Sequence, residues 1–189
     1  MLTSDFRELC GVALPYEGRQ KYAYGFDLAD PIMPEGYEDY LEPVLTLIGA
    51  AKAKEGMAYM TVDEKVIEAG DTQRRPKPHV DGCFMPNKNG WGHNEGWLHN
   101  CNDVKSGPIG RMAVIVASSV VGCRAWKGIF DAEPKSDGDL SHLTLPEGIM
   151  LPSNTGYLLS PDCIHESLPM SERVQRTFLR IALPLSYAY

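Results

Sequence analysis

The chain has 189 residues, of which 43% are hydrophobic and 23% are charged, and its formal net charge is −7. This length predicts a single domain, 1–189, with its own hydrophobic core. The negative charge argues against binding of duplex nucleic acid, because a grip on phosphates needs clustered Lys and Arg. Five cysteines without paired spacing argue against a disulfide framework.

The first ten residues do not resemble a signal peptide. Charges at Asp5, Arg7 and Glu8 interrupt the stretch where a signal peptide needs an unbroken apolar run. No run of apolar residues in the sequence has the length needed to cross a bilayer. We therefore expect a cytoplasmic protein that makes no contact with a membrane. The sequence leaves the oligomeric state open.

Residues 1–56 are predicted to form an N-terminal wrapping segment and one supporting helix. Prolines and glycines interrupt residues 11–37, which predicts short extended pieces over the surface. The helix is predicted over 39–55, because Asp39 and Glu42 have the spacing of a capping box and Gly56 can end it. The apolar face of this helix is expected to pack on the core and contains Leu41, Val44, Leu45 and Ile48.

Residues 57–184 are predicted to form a β-rich core. Short segments of branched and aromatic residues alternate there with turn residues. The candidate strands span 57–62, 64–68, 77–81, 111–117, 122–127, 148–151, 156–160, 164–168 and 176–184. Many short strands behind one helix indicate a mainly β fold with flanking helices (α+β). A double-sheet jelly roll is the architecture that this order suggests.

The connection over 84–110 is long for a compact domain and is rich in glycine and tryptophan. Long loops of this kind often close over a binding site, and solvated or disordered loops are the alternative. If it is a lid, Trp91 or Trp97 would close over a bound substrate.

Two distant segments supply a candidate metal site. In an extended segment residues i and i+2 point to the same side, so His79 and Asp81 can converge while Val80 turns into the core. His165 follows Asp81 by 84 positions, which is enough chain for several strands to return to the same end of the fold. Two imidazole nitrogens and one carboxylate oxygen on one face suit Fe(II) and leave neighbouring coordination positions open.

Each of these ligands also has a structural interpretation. Either histidine can be a hydrogen-bonded core residue, and Asp81-Gly82 can simply begin a turn. Cys83 and Cys163 lie beside the proposed ligands and could form a zinc site with the two histidines, although they lack the paired spacing of structural zinc sites. The remaining histidines are expected to be solvated loop residues, namely His93, His99 and His142.

The order of these motifs resembles the Fe(II)- and 2-oxoglutarate-dependent oxygenase superfamily over residues 57–184. The matching motifs are His79-Val-Asp81, the apolar strand that begins at Gly156 and runs to Ser-Pro before His165, and Arg180-Ile-Ala-Leu. The resemblance implies the cupin-like double-stranded β-helix fold, with the two histidines and the aspartate as iron ligands. It also implies that an arginine on the last core strand binds the far carboxylate of 2-oxoglutarate.

A planar, permanently charged guanidinium suits that carboxylate, because it can hold it by two parallel hydrogen bonds. Arg176 and Arg180 share one face of the predicted last strand. We favour Arg180 as the anchor because its neighbours are apolar, and Arg176 is the alternative. Some relatives carry a Ser two residues after the arginine, where this chain has Ala182. The second donor must then come from elsewhere, and Tyr59 or Tyr157 could supply a phenol.

The resemblance implies a dioxygenase that hydroxylates its substrate and releases succinate and CO2. The substrate is expected to be a small molecule, an amino acid or a peptidyl group. One alternative is a jelly-roll module that binds metal or 2-oxoglutarate without turnover, and another is a cupin-type metalloenzyme without a cosubstrate. The carboxylate at Asp81 argues against a decayed site, and an arginine inside the barrel argues for an anionic ligand, because a buried charge without a partner is costly.

Overall fold

The computed structural model describes residues 1–81, 112–135 and 138–188. Within these ranges the protein is mainly β, with eleven strands, one α-helix and two short 3-10 helices. The strands are β1 (Leu2–Ser4), β2 (Phe6–Gly11), β3 (Gln20–Asp27), β4 (Met57–Ile67), β5 (Ala113–Ser118), β6 (Cys123–Ala125), β7 (Gly128–Phe130), β8 (Ile149–Leu151), β9 (Thr155–Leu159), β10 (His165–Ser167) and β11 (Val174–Leu183). The helix α1 spans Leu41–Ala50, and the 3-10 helices span Glu38–Tyr40 and Leu185–Tyr187.

The strands form antiparallel sheets that are consistent with a β-sandwich. The large sheet has the order β2-β9-β5-β11-β4-β3, the small sheet has the order β10-β6-β8, and β1 pairs with β7. Side chains of the large sheet, including Val116, Tyr157 and Phe178, share one buried cluster with Ala125 and Leu151 of the small sheet. The inner faces of the two sheets therefore pack against each other.

The opposite face of the large sheet carries the main hydrophobic core, under α1. Val44, Leu47 and Ile48 of the helix are buried against alternate residues of the strands. The approach is close, since a Cβ placed on Gly156 would lie 2.1 Å from Leu47 Cδ2. A glycine at this position of β9 therefore allows the helix to reach the sheet. Replacing Leu47 by Ala would cost about 2–5 kcal/mol, the usual cost of such a cavity.

The predicted helix exists, but its ends were predicted wrongly. It begins at Leu41 and ends at Ala50, because Lys52 adopts φ 58° and the Ala53 amide donates to the Ile48 carbonyl at 2.9 Å. This pairing ends a helix in the left-handed conformation. The capping box does not form, since the Asp39 carboxylate accepts hydrogen bonds from the Arg19 guanidinium instead.

Most predicted strands of the core are confirmed. The segments 111–117, 122–127, 148–151, 156–160, 164–168 and 176–184 each overlap one of the strands β5, β6 and β8 to β11. Two predictions were wrong. The segments 57–62 and 64–68 form the single strand β4, in which Asp63 stays in register with Phe178. Residues 77–81 are not a strand, because Lys77 has φ 67° and its neighbouring prolines have no amide to donate.

The N-terminal segment contributes more than a surface wrap. Strands β2 and β3 form the two edges of the large sheet, and the sequence pattern had not indicated them. The predicted lid, 84–110, lies outside the described residues. None of the helices in the described ranges has the length and hydrophobicity to span a membrane.

A buried carboxylate joins the N-terminal segment to the outer face of the large sheet. Glu64 on β4 accepts hydrogen bonds from the amides of Glu17 and Arg19, from the Arg19 guanidinium at 3.0 Å and from the Tyr40 hydroxyl at 2.7 Å. Burial acts to raise the pKa of Glu64, but these hydrogen bonds outweigh it and lower the pKa below its ordinary value. The network therefore stabilises the folded state only while the carboxylate is ionised.

We predict that Glu64→Gln destabilises the protein by about 3 kcal/mol, because it removes the buried anion to which the Tyr40 hydroxyl and the half-buried Arg19 guanidinium donate. Urea denaturation measures the change. Glu68→Gln is the matched control, since Glu68 forms an exposed ion pair with Arg173 and such pairs contribute little. Equal effects of the two substitutions would contradict a specific role for the Glu64 network.

The same network predicts a pH dependence. The folded pKa of Glu64 is lower than the unfolded value of about 4.3, so its contribution is complete above the unfolded pKa and is lost as the pH falls through the folded pKa. The wild-type protein should therefore lose more stability than Glu64→Gln between neutral and acidic pH. Denaturation curves at a series of pH values test this, and parallel losses would show that Glu64 does not contribute.

Candidate metal centre

The backbone brings the two histidines side by side. His79 and His165 form a hydrogen-bonded antiparallel pair, with N···O distances of 3.0 Å and 2.9 Å between their main chains. His165 is the first residue of β10, so His79 extends the small sheet beyond its edge strand. The two imidazole rings then lie on the same side, with centroids 4.4 Å apart.

Alternation along the chain brings the aspartate to the same point. Val80 is buried against Trp126 and Ile164, so its neighbours on either side point away from this cluster. Ligand atoms of His79, Asp81 and His165 all lie within 4.8 Å of one another, and the group could hold a metal ion. The predicted convergence of the three side chains is confirmed.

Backbone carbonyls orient both imidazoles. Nδ1 of His79 lies 2.8 Å from the Lys77 carbonyl oxygen, and Nδ1 of His165 lies 2.9 Å from the Cys163 carbonyl oxygen. Because a carbonyl oxygen can only accept, each Nδ1 carries the proton and each Nε2 retains its lone pair. Metal-binding histidines are commonly oriented in this way.

The electrostatics of the site keep His79 and Asp81 in their metal-binding protonation states. Burial, followed by the nearby His165, lowers the pKa of His79 to about 3, so its imidazole is neutral at physiological pH. Burial raises the pKa of Asp81, but the positive charge of Arg180 and then the imidazoles outweigh it and bring the pKa below its ordinary value. Neutral nitrogen and anionic oxygen are the forms that bind metals.

Arg180 is in direct contact with the candidate ligands. Its Nη1 donates to Oδ2 of Asp81 at 3.0 Å, and this oxygen lies 3.8 Å from Nε2 of His165. The side chain is buried, and burial lowers the pKa of Arg180 whereas Asp81 raises it. Arg180 therefore holds the carboxylate in place from the large sheet.

Arg176 lies further along the same face of β11 and is completely buried. Its Nε donates to Oγ of Ser118 at 2.8 Å, and its Nη2 lies 3.1 Å from Sγ of Cys123, so the guanidinium spans the space between the two sheets. Its Nη1 is buried without a hydrogen-bond partner, and within the described ranges no carboxylate pairs with it. A side chain of this kind suits an anionic ligand.

The two tyrosines proposed as second donors both lie on the inner face of the large sheet, which also carries Arg180. The Tyr157 hydroxyl is 3.4 Å from a carboxylate oxygen of Glu8 on the edge strand β2. Tyr59 is buried beside Ala182, which follows Arg180 by two residues on the same face of β11. Sequence reasoning did not identify Ser118 and Cys123, the residues in contact with Arg176. Only the position of Ser118 at the end of an apolar strand indicated an inward-facing hydroxyl.

The other metal-binding candidates receive less support. Cys163 is buried, its pKa is raised by burial, and it belongs to no cluster of potential ligands in the described part of the chain. Cys83, His93, His99, Trp91 and Trp97 lie outside the described residues. His142 is exposed, as expected for a loop residue.

Comparison of the chain with protein-family models, with curated proteins and with solved structures found no match. The function must therefore be argued from the site.

We predict that Asp81→Ala and His165→Ala each abolish binding of a divalent metal, because two ligands cannot hold it against water. Calorimetric titration with Mn(II) measures the loss. His142→Ala is the control, since it removes an exposed imidazole that does not belong to the group of candidate ligands. Unchanged Mn(II) affinity in Asp81→Ala would contradict the site.

Proposed function

We propose that this protein is an Fe(II)- and 2-oxoglutarate-dependent dioxygenase that hydroxylates a small-molecule, amino-acid or peptidyl substrate and releases succinate and CO2. The observation that carries the proposal is the convergence of His79, Asp81 and His165, with both Nε2 atoms free to bind a metal. Two imidazoles and one carboxylate are the donor set of non-haem iron oxygenases, and they leave adjacent positions open.

We propose that the protein has a double-stranded β-helix fold, with the large and small sheets as its two halves. Supporting this, the candidate ligands extend the small sheet, while Arg180 reaches Asp81 and Arg176 contacts Cys123 of the small sheet from the inner face of the large sheet. The site then lies at one end of the space between the sheets. Apolar side chains, including Val116 and Phe178, line this space and exclude water.

Iron held by these three residues would supply the activation of O2, coupled to the oxidation of 2-oxoglutarate. The residues present fit such an ion, because the donor set is of the right chemistry and His79 and Asp81 are already in their metal-binding forms. Arg180 restrains one oxygen of Asp81 and leaves the other available to a metal. The chain thus provides orientation and a dry environment for the reaction.

The anchor for the far carboxylate of 2-oxoglutarate is proposed to be Arg176. Arg180, which the sequence pattern favoured, already donates to Asp81 at the metal end. Arg176 lies on the same face of β11 as Arg180 but further from the candidate ligands. Its Nη1 is a buried donor without a hydrogen-bond partner. Ser118 fixes the guanidinium through Nε, which directs the remaining donors towards the interior. This buried cation also favours a cosubstrate-dependent enzyme over a cupin-type enzyme without one.

The test of the proposed function is anaerobic addition of Fe(II) and 2-oxoglutarate, followed by air. We expect a visible charge-transfer band before air and succinate after it, because the metal and cosubstrate react even without the substrate. The control is Asp81→Ala under the same conditions. Absence of both the band and succinate in the wild-type protein would refute the oxygenase proposal.

The two arginines make separable predictions. We expect Arg176→Gln to weaken 2-oxoglutarate binding about a hundredfold while Mn(II) still binds, because it removes the buried charge–carboxylate contact. We expect Arg180→Gln to weaken Mn(II) binding, because it frees the Asp81 carboxylate. Titration of both ligands measures this, with the exposed Arg173→Gln as the control. If only Arg180→Gln weakens 2-oxoglutarate, then Arg180 is the anchor.

A further inference from the structure

A third arginine reaches the interior beside the candidate metal centre. Arg74 comes from the segment that leads to His79, and its amide lies 3.4 Å from Oγ of Ser167 on the small sheet. Its guanidinium lies over the ring of Phe178 on the large sheet, 5.4 Å from the centroid. Phe178 stands between Arg176 and Arg180 on the inner face of β11. Arg74 therefore lies above the path from the metal ligands to Arg176.

Among the described residues, the one carboxylate that accepts a hydrogen bond from Arg74 is Asp63, and Asp63 also pairs with another cation. Its Nη1 lies 3.3 Å from Oδ2 of Asp63, whose Oδ1 lies 3.1 Å from Nζ of Lys65. Two positive charges thus face one carboxylate that is completely buried. A guanidinium has five N–H donors, and most of those on Arg74 are not used by this contact.

Arg74 also faces solvent more than the other two arginines do. Its side chain is 24% exposed, compared with 9% for Arg180, whereas Arg176 is completely buried. Of the three arginines, Arg74 is therefore the most accessible to a ligand that approaches from solvent. Stacking on Phe178 fixes the plane of the guanidinium, which prepares it to bind a planar anion by two hydrogen bonds.

We propose that the primary substrate is an acid whose carboxylate binds Arg74 while its reacting carbon faces the metal centre. This inference rests on the proposed function and adds the chemical class of the substrate. In the proposed site 2-oxoglutarate uses one carboxylate at the metal and the other at Arg176, so it does not neutralise the extra positive charge of Arg74 and Lys65 around Asp63. A substrate group with a single negative charge would neutralise it. The carboxylate can belong to a free acid or to an acidic side chain of a peptide.

The experiment measures whether acids bind near the metal in preference to their amides. Protein is saturated with Mn(II) and 2-oxoglutarate without oxygen, and the proton linewidths of added probes are recorded by NMR, because Mn(II) broadens only nearby protons. The probes are phenylacetate with phenylacetamide, hexanoate with hexanamide, and the capped tripeptides Gly-Asp-Gly and Gly-Asn-Gly. Zn(II)-loaded protein gives the diamagnetic baseline.

We expect at least one acid to bind about tenfold more tightly than its amide, which is the contribution of charged hydrogen bonds. The free acids and the peptide distinguish the two sources of the carboxylate. Arg74→Gln should remove this preference and leave 2-oxoglutarate binding unchanged. Lys65→Gln is the matched control, because it also removes a cation from Asp63 but should keep the preference. Arg74→Lys should retain part of it, which guards against loss of folding in Arg74→Gln.

Three results would overturn the inference. They are equal affinity of the acids and their amides, an intact preference in Arg74→Gln, and weaker 2-oxoglutarate binding in Arg74→Gln, which would assign Arg74 to the cosubstrate site. In each of these cases the wild-type protein still binds Mn(II) and 2-oxoglutarate, so the proposed function stands. Failure of wild-type protein to bind Mn(II) and 2-oxoglutarate would instead refute the proposed function and this inference together.

Discussion

The reciprocal main-chain pair between His79 and His165 is the contact on which the candidate site depends. The two residues are far apart in the sequence, so the fold alone brings them together. The imidazole of each is oriented by the backbone carbonyl two residues before it. A shift of one residue in this pairing would turn one imidazole to the opposite side of the sheet. Lys77 is in the left-handed conformation and has a proline on each side, so the residues before His79 cannot continue the strand pairing. The pairing with β10 is therefore limited to His79.

The site also requires the two sheets to meet at a fixed separation. Arg180 bonds to Asp81 and Arg176 contacts Cys123, so two guanidinium groups from β11 reach across to the opposing layer. Burying such groups is costly without partners, and the apolar packing beside them must offset that cost. The helix α1 supports the other side of β11 through the main core. One strand therefore carries a hydrophobic face that packs under α1 and an opposite face with two arginines that contact the other layer.

The parts that were predictable from sequence are those that depend on local pattern. His79 and Asp81 could be paired from alternation alone, and the apolar strands of the core from their branched residues. Contacts between distant segments were not accessible: Ser118 and Cys123 meet Arg176 only after the sheets pack. The capping box failed for the same reason, because Arg19 competes for Asp39 from another part of the chain. The edge strand β3 mixes polar and aromatic residues without a clear period, so no local signal identified it.

Two adjacent acids on β4 have a further consequence for how this sheet assembles. Asp63 points inward to Arg74, and Glu64 points outward to Arg19. If β4 slipped by one residue against β11, each carboxylate would face the wrong layer, so Arg74 would lose Asp63 and Arg19 would keep only its partners outside β4, such as Asp39. The register of β4 against β11 is therefore favoured by charge as well as by hydrophobic pattern. A shifted register would break ion pairs on both faces of the sheet, so the native register is preferred even without a ligand.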